Sequence, residues 1–313
     1  MNQDKIVVVM GGTSTEAEIS RQTGTAILKA LQSKGYNAVG MELHPETFAE
    51  EIRKSGCAIV FNALHGKFGE DGLLQGTLEM LGIPYTGSGV LAAAITMDKA
   101  ATKRVLVAEG ISTPGSHTYH RIDMEKNDLV TEIEEHFSLP VVVKAASQGS
   151  SIGVYIVEKR EDLENALEEA FSYNDEVLVE QFIRGRELTV AVWGDEAKKE
   201  AFPIIEITTE SGRYDYASKY TKGQSHHIIP MPVSEAKTKE IQDLAIRTYE
   251  ACGCRGVARV DMMMDADETP YVIEVNSVPG MTELSLVPDA ARAMGVEFPE
   301  LCERILEMAG FRK

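Results

Sequence analysis

The sequence predicts a mixed α/β and α+β chain in which a parallel-sheet domain comes first and antiparallel sheets follow it. Three observations carry this prediction. Over roughly the first hundred residues, short β-branched runs alternate with helically spaced apolar residues, the rhythm of βα units. From about Pro140 the strand-like runs crowd together with a single helical stretch among them, which reads as an antiparallel sheet. Near the end, Gly256 to Met264 and Pro270 to Asn276 flank the turn-rich Asp265-Ala-Asp-Glu-Thr269, a hairpin pattern. At 313 residues the chain exceeds one ordinary hydrophobic core and implies two or three domains.

Taken in order, Ile6 to Met10 is a first strand ending at Gly11-Gly12, and Ile19, Ala26, Ile27 and Leu31 mark the helix after it. Strand signals recur at Ala38 to Met41 and Cys57 to Leu64. Ligands of a parallel sheet collect at the carboxyl ends of its strands, which points at Gly11–Glu18 and His65–Gly72. A helix from Met97 to Glu109 stops at Gly110. Val141 to Lys144, Gly153 to Val157, Val177 to Glu180 and Leu188 to Trp193 read as strands, with a helix near Asp162–Phe171. Thr208 to Gln224 is polar and aromatic without apolar periodicity, and a stretch that long without regular structure is more often a functional lid than filler. A long helix from Ser234 to Cys252, the hairpin and two closing helices complete the chain, with no internal repeat.

Composition narrows the function. Apolar residues at 43% and charged residues at 26% are enough for a packed core. A formal charge of −18 with no basic run excludes a nucleic-acid partner, since nothing could replace phosphate counterions. The four cysteines form no C-x-x-C pair, and Cys252-Gly-Cys254 stands apart from other zinc ligands, so reduced thiols are expected. The first apolar run is too short for a signal-peptide core, and no stretch approaches the roughly 18 apolar residues of a membrane span. A cytoplasmic location without membrane contact is the expectation.

The sharpest chemical signal is the hairpin. Closed with Met264 opposite Tyr271, it sets Asp261 opposite Glu274 and Arg259 opposite Asn276, all four on one face. Like charges so opposed are destabilising and call for a cation. Two carboxylates and an amide suit a hard, phosphate-bound ion such as Mg²⁺; a solvated face neutralised by Arg259 is the equal alternative. Lys144 leaves a strand for the loop Ala145-Ala-Ser-Gln-Gly-Ser-Ser-Ile-Gly153, where its ammonium and successive N–H groups could surround phosphate oxygens, unless the loop is only a surface turn. Neither a Walker motif nor a G-x-G-x-x-G is present. Glu16 stands three residues after Thr13 at a helix start, so by itself it reads as half of a capping box. The loop His65-Gly-Lys-Phe-Gly-Glu-Asp-Gly72 reads by itself as a solvated connection.

Together these segments resemble the D-alanine–D-alanine ligases of the ATP-grasp superfamily. The stretches are Gly11-Gly-Thr-Ser-Thr-Glu-Ala-Glu18, Ala63-Leu-His-Gly66 with Gly69-Glu-Asp-Gly72, Tyr85-Thr-Gly-Ser-Gly89 leading to Met97-Asp-Lys99, and Val143-Lys144. Gly149-Ser-Ser-Ile-Gly153, Tyr214-Asp-Tyr-Ala-Ser-Lys-Tyr220, Ala258-Arg-Val-Asp261 and Glu274-Val-Asn-Ser-Val-Pro-Gly-Met-Thr282 with Ser285-Leu-Val-Pro288 follow in family order.

The resemblance implies a parallel α/β substrate domain at 1–98, then a two-part ATP-grasp fold at 99–187 and 188–313 whose antiparallel sheets clasp ATP. It implies that Lys99 and Lys144 hold phosphates, that Glu180 and Glu187, with Gln181 and Ile183, bind adenine and ribose, and that Asp261, Glu274 and Asn276 carry Mg²⁺ or Mn²⁺, two ions in all. Glu16 would bind the ammonium of the first D-alanine, linked through Ser150 to Tyr220, with His65 in the same pocket. Arg259 and the Gly280 N–H would stabilise the tetrahedral oxyanion; Lys219 and Ser285, beside Leu286, would grip the second substrate's carboxylate.

The implied reaction joins two D-alanines through a D-alanyl phosphate, giving D-alanyl-D-alanine, ADP and phosphate for peptidoglycan. The expected partners are D-alanine and ATP, and the expected assembly is a homodimer. Tyr220 favours D-alanine over D-lactate as second substrate. Two positions depart from the family pattern: Ala145 stands where many relatives have proline, and Gln148 where an acidic residue is common.

Overall fold

A computed structural model describes residues 4–124, 128–195, 197–209, 224–282 and 285–311. The first sheet is parallel, with β1 (Ile6–Met10) between β2 (Ala38–Glu42) and β3 (Ile59–Asn62). β1 is apolar throughout because both of its faces are covered. Val7 and Val9 join Phe48, Ile52, Leu74 and Leu78, while Ile6 and Val8 join Ile27, Leu31, Leu301 and Ile305. The helices of this part are α1 (Ala17–Ser33), α2 (Phe48–Ser55), α3 (Leu73–Leu81) and α4 (Val90–Met97).

Next comes α5 (Lys99–Ala108). The spacing predicts one helix from Met97 to Glu109, but two helices meet at Asp98. Its backbone is extended, and its carboxylate accepts the Ala101 N–H, so it ends α4 and caps α5. Gly110, at φ +62°, stops α5 where expected.

The second sheet is antiparallel, in the order β4 (Ser116–His120), β7 (Glu176–Gln181), β5 (Val141–Ala145), β6 (Val154–Val157). The short α6 (Arg121–Met124) follows β4; α7 (Leu129–His136) and α8 (Leu163–Tyr173) cover one face, packing Ile133, Leu167 and Phe171 on Val141, Val143, Val177 and Val179. Alternation then turns Val142, Lys144 and Glu180 to the other face, where the wall of a cleft stands.

The third sheet runs β11 (Ser225–Ile228), β10 (Ile205–Thr209), β8 (Arg186–Gly194), β12 (Gly256–Met264), β13 (Pro270–Asn276), with β9 (Lys199–Ala201) beside β8. One face lies under α9 (Glu235–Ala251), whose Ile241, Leu244 and Ala245 meet Val190, Val260 and Met262. On the other, Ala191, Trp193 and Val257 share a core with α1, α10 (Leu286–Ala293) and α11 (Phe298–Glu307), which fastens the first sheet to the third. The chain crosses between the second and third sheets at 182–185. There a β-carbon on Gly185 would stand 1.9 Å from the Met264 carbonyl oxygen, so only glycine lets this connection lie on the hairpin.

Of the segment Thr208–Gln224 expected to be an irregular lid, Thr208 and Thr209 belong instead to β10, and 210–223 lie outside the described residues. Among the described residues no helix is long and apolar enough to cross a membrane. All four cysteines are unpaired, and burial pushes the Cys252 thiol up to about 11 and Cys302 to about 12.

Candidate active site

Two hollows meet at the β12–β13 hairpin. The larger, about 630 Å³, lies between the second and third sheets and is lined by Lys99, Lys144, Glu180, Gln181, Ile183, Glu187, Asp261 and Glu274. The smaller, about 190 Å³, is lined by Glu16, His65, Ser150, Arg259, Asn276, Gly280, Ser285 and Leu286. Every candidate residue that the structure describes therefore lines one hollow or the other. Lys219 and Tyr220 lie outside the described residues.

The hairpin is the wall common to both. Asp261 pairs with Glu274 and Arg259 with Asn276, as the sequence predicts; the first rung serves the larger hollow and the second the smaller. Same-face neighbours on a strand are about 7 Å apart, so the contents of the two hollows are brought within reach of each other. Toward the turn the predicted register fails by one: Met264 pairs with Pro270 and Met263 with Tyr271, because the ladder shifts between Asp261 and Met262. The shift leaves Ile273 unmatched and turns both Ile273 and Glu274 to the larger hollow, while Val272 and Val275 stay in the core.

In the larger hollow Lys144, at the end of β5, pairs with Glu180 on β7. A second lysine, Lys103, reaches Glu180 from behind at 2.8 Å. Burial by itself would push the Glu180 carboxyl up, but Lys144 and Lys103 together outweigh it and hold it below the ordinary carboxylate range. Burial also lowers the Lys103 ammonium. Lys99 begins α5; its Nζ donates to the Gln148 carbonyl at 2.5 Å and lies 3.6 Å from Glu274. Lys103 escapes a sequence reading that assigns lysines to water, although its place four residues after Lys99 puts it on the same helical face.

Asp261 is held from three sides. Arg259 donates Nε and Nη2 to its two oxygens at 2.8 and 2.7 Å, Asn276 donates Nδ2 at 2.8 Å, and Thr189 donates its hydroxyl at 2.5 Å. Arg259 therefore neutralises Asp261, and a second carboxylate, Glu274, stands opposite it. Asp261, Glu274 and Asn276 offer only oxygen donors, which fits a hard divalent cation. Among the described residues no three His, Cys, Asp or Glu side chains cluster as a self-sufficient metal cage, so such an ion would need phosphate oxygens to complete its shell.

The smaller hollow is assembled from distant parts of the chain. Glu16 is buried at 7% exposure, and the Ser150 hydroxyl donates to its carboxylate. No capping box forms: Thr13 is exposed, and the Glu16 N–H donates instead to Ser14, whose hydroxyl donates to the His65 carbonyl. His65 meets Thr23 at 3.0 Å and Glu70 at 3.6 Å. Ser285 accepts the Thr282 N–H at 2.9 Å beside Gly280. Ser150 and Ser151 sit in the left-handed region at φ 50° and 60°, strain of a kind that concentrates in binding loops. A β-carbon on Gly149 would come within 2.7 Å of Glu16 Oε2. Gly149→Ala is therefore expected to push Glu16 aside and raise about tenfold the KM for whichever substrate the smaller hollow takes, with the KM for a ligand of the larger hollow much less affected; steady-state kinetics with each substrate varied in turn check this.

A family model described as D-ala D-ala ligase C-terminus matches residues 105–307, and one described as D-ala D-ala ligase N-terminus matches 40–88. The D-alanine–D-alanine ligase of Pelotomaculum thermopropionicum is 48% identical over 308 residues, covering 97% of this chain and 96% of the relative. The chain belongs to the D-alanine–D-alanine ligase family. The crystal structure of the Bacillus anthracis D-alanine–D-alanine ligase complexed with ATP superposes with a TM-score of 0.85 at 35% identity, covering 98% of this chain and 97% of that one. A D-Ala:D-Ser ligase from Enterococcus faecalis gives 0.83 at 30% identity, covering 98% and 99%. The predicted fold class, a parallel α/β part followed by a two-part ATP-grasp arrangement, is the observed one.

For a member of this ligase family, the two departures in the loop after Lys144 find a local account. The Ala145 N–H donates to the Gly153 carbonyl at 2.9 Å, closing the loop with a bond proline could not make. Gln148 holds Lys99 through its backbone carbonyl, a contact indifferent to its side chain.

Proposed function

We propose that this enzyme joins two D-alanine molecules at the expense of ATP, through a D-alanyl phosphate, to give D-alanyl-D-alanine, ADP and phosphate for peptidoglycan synthesis. The observation that carries the reading is the shared hairpin: one rung of it serves a cleft into which Lys99 and Lys144 project, and the next a small polar pocket.

The larger hollow takes ATP. Lys99 and Lys144 face its phosphates, and Gln181, Ile183 and Glu187, with the backbone around Glu180, receive adenine and ribose. Asp261, Glu274 and Asn276 would hold the divalent ions, Mg²⁺ or Mn²⁺, which when bound neutralise phosphate charge. In the smaller hollow Glu16, kept in place by Ser150, pairs with the ammonium of the first D-alanine, with His65 beside it. A free carboxylate resists amines because oxide is a poor leaving group. Its oxygen therefore attacks the γ-phosphorus, the bond to the ADP oxygen breaks, and the lysines spread the charge that moves. The second D-alanine, its carboxylate against Ser285 and Leu286, gives a proton from its ammonium to water, and the freed amine attacks the acyl carbon. Arg259 and the Gly280 N–H receive the oxyanion; the C–O bond breaks, phosphate departs and the dipeptide remains.

We assign these tasks to segments 1–98, 99–187 and 188–313, and place the enzyme in the cytoplasm, where ATP is supplied. A homodimer completes the reading; exposed Leu73, Met80 and Leu91 on α3 and α4 offer apolar surface for it.

With D-alanine, ATP and Mg²⁺, one ADP, one phosphate and one D-alanyl-D-alanine are expected per turnover. Mass spectrometry of products from mixtures with D-serine and D-lactate tests the second substrate. ADP release that D-alanine does not stimulate would defeat the proposal, and a mixed product formed in preference would reassign the second site. A non-catalytic nucleotide binder on this fold would leave the arrangement of Arg259, Asp261, Glu274 and Asn276 without a purpose.

A further inference from the structure

Lys103 is a buried cation that the reaction just described does not use. It is 4% exposed and stands behind Glu180, while Lys144 stands in front at the cleft wall. Its Nζ lies 2.8 Å from Glu180 Oε2 and also donates to the Thr113 hydroxyl at 2.6 Å and the Pro114 carbonyl at 3.2 Å. The Thr113 hydroxyl in turn donates to the Val272 carbonyl of β13 at 2.7 Å. The charges thus run Lys103, Glu180, Lys144 from the interior to the cleft.

Their sum decides what a nucleotide meets. Glu180 and Lys144 alone would form a neutral pair, and a buried pair presents little field beyond itself. With Lys103 the group carries one net positive charge, in surroundings where burial weakens screening. We propose that Lys103 is a positioning residue of the nucleotide site: its charge neutralises Glu180 from behind, so that the charge of Lys144 is left for the phosphates of ATP. The inference rests on the assignment of Lys144 to those phosphates.

The competing role is purely architectural, a clip between α5, β7 and the Thr113–Pro114 segment. Net charge separates the two. Calorimetric titration of the whole enzyme with the non-hydrolysable analogue AMP-PNP and Mg²⁺ reads the affinity of each variant, and circular dichroism establishes that each is folded. Lys103→Met is expected to weaken binding about tenfold, with the KM for D-alanine unchanged. The double variant Lys103→Met/Glu180→Gln, whose net charge is again one positive, is expected to regain most of the loss, whereas a lost clip would stay lost. Lys103→Met binding within about twofold of the unmodified enzyme, or a double variant no tighter than the single one, overturns the proposal. Should Lys103→Met not fold, Glu180→Gln compared with the double variant makes the same test. The former carries one more positive charge and is expected to bind more tightly; equal affinities overturn the proposal. Lys144→Met separates the two layers of the argument. If it leaves affinity intact, the phosphate assignment of Lys144 fails; if it weakens binding while Lys103→Met does not, only the role of Lys103 fails.

Discussion

Replacing Glu274 by glutamine is expected to lower kcat by about 10³-fold or more while the protein folds normally. The substitution keeps shape and hydrogen-bonding capacity and removes one charge from the proposed ion-binding set. Glu274 side-chain exposure is 26%, and Lys99, its cationic neighbour, keeps its bond to the Gln148 carbonyl. Lys99 loses a carboxylate neighbour but keeps that hydrogen bond, so the thermal midpoint should move by only a few degrees. Manganese affinity, read by electron paramagnetic resonance in the presence of nucleotide, should fall in parallel with kcat. A variant that turns over near the normal rate would remove Glu274 from the ion site and leave the opposed carboxylates to be explained by Arg259 and Lys99 alone.

The hairpin also shows where sequence reasoning holds and where it fails. Apolar and polar residues alternate from Ala258 to Asp261, and this is enough to place the Arg259 and Asp261 rungs. The register slip is a fact of the fold that strict alternation misses: Val272 and Val275 both face the core although they are three residues apart. The β1 run was legible because covering both faces of a parallel strand demands unbroken apolar sequence. β4, with its polar Ser-His-Thr-Tyr-His sequence on a sheet edge, gave no such signal. The neighbours of Glu16 alone suggest only a capping role, since the side chain that holds it, Ser150, is 134 residues away and only the folded chain joins them. What made Glu16 a site candidate was the family resemblance of its segment, a source independent of local spacing.

Arg259 is the second position at which a large effect is expected, and there the two possible roles predict different kinetics. Arg259 lines the smaller hollow and grips Asp261 through two nitrogens. If its work is to receive the oxyanion, Arg259→Met should cut kcat about 10²- to 10³-fold with nucleotide affinity nearly unchanged, because Asn276 and Thr189 still hold Asp261. If its work is only to neutralise Asp261, the same variant should change the affinity for nucleotide and divalent ion first, and kcat should follow only as far as those sites are left unfilled. Arg259→Lys sharpens the distinction. It restores the charge beside Asp261 but not the planar fork, so a neutralising role would be largely rescued and an oxyanion role would not. Saturating ATP and Mg²⁺ with D-alanine varied, measured on both variants, decides the matter: a kcat for Arg259→Met within about threefold of normal under those conditions would end the oxyanion assignment, since a donor aimed at developing charge cannot be removed without cost to the step it serves.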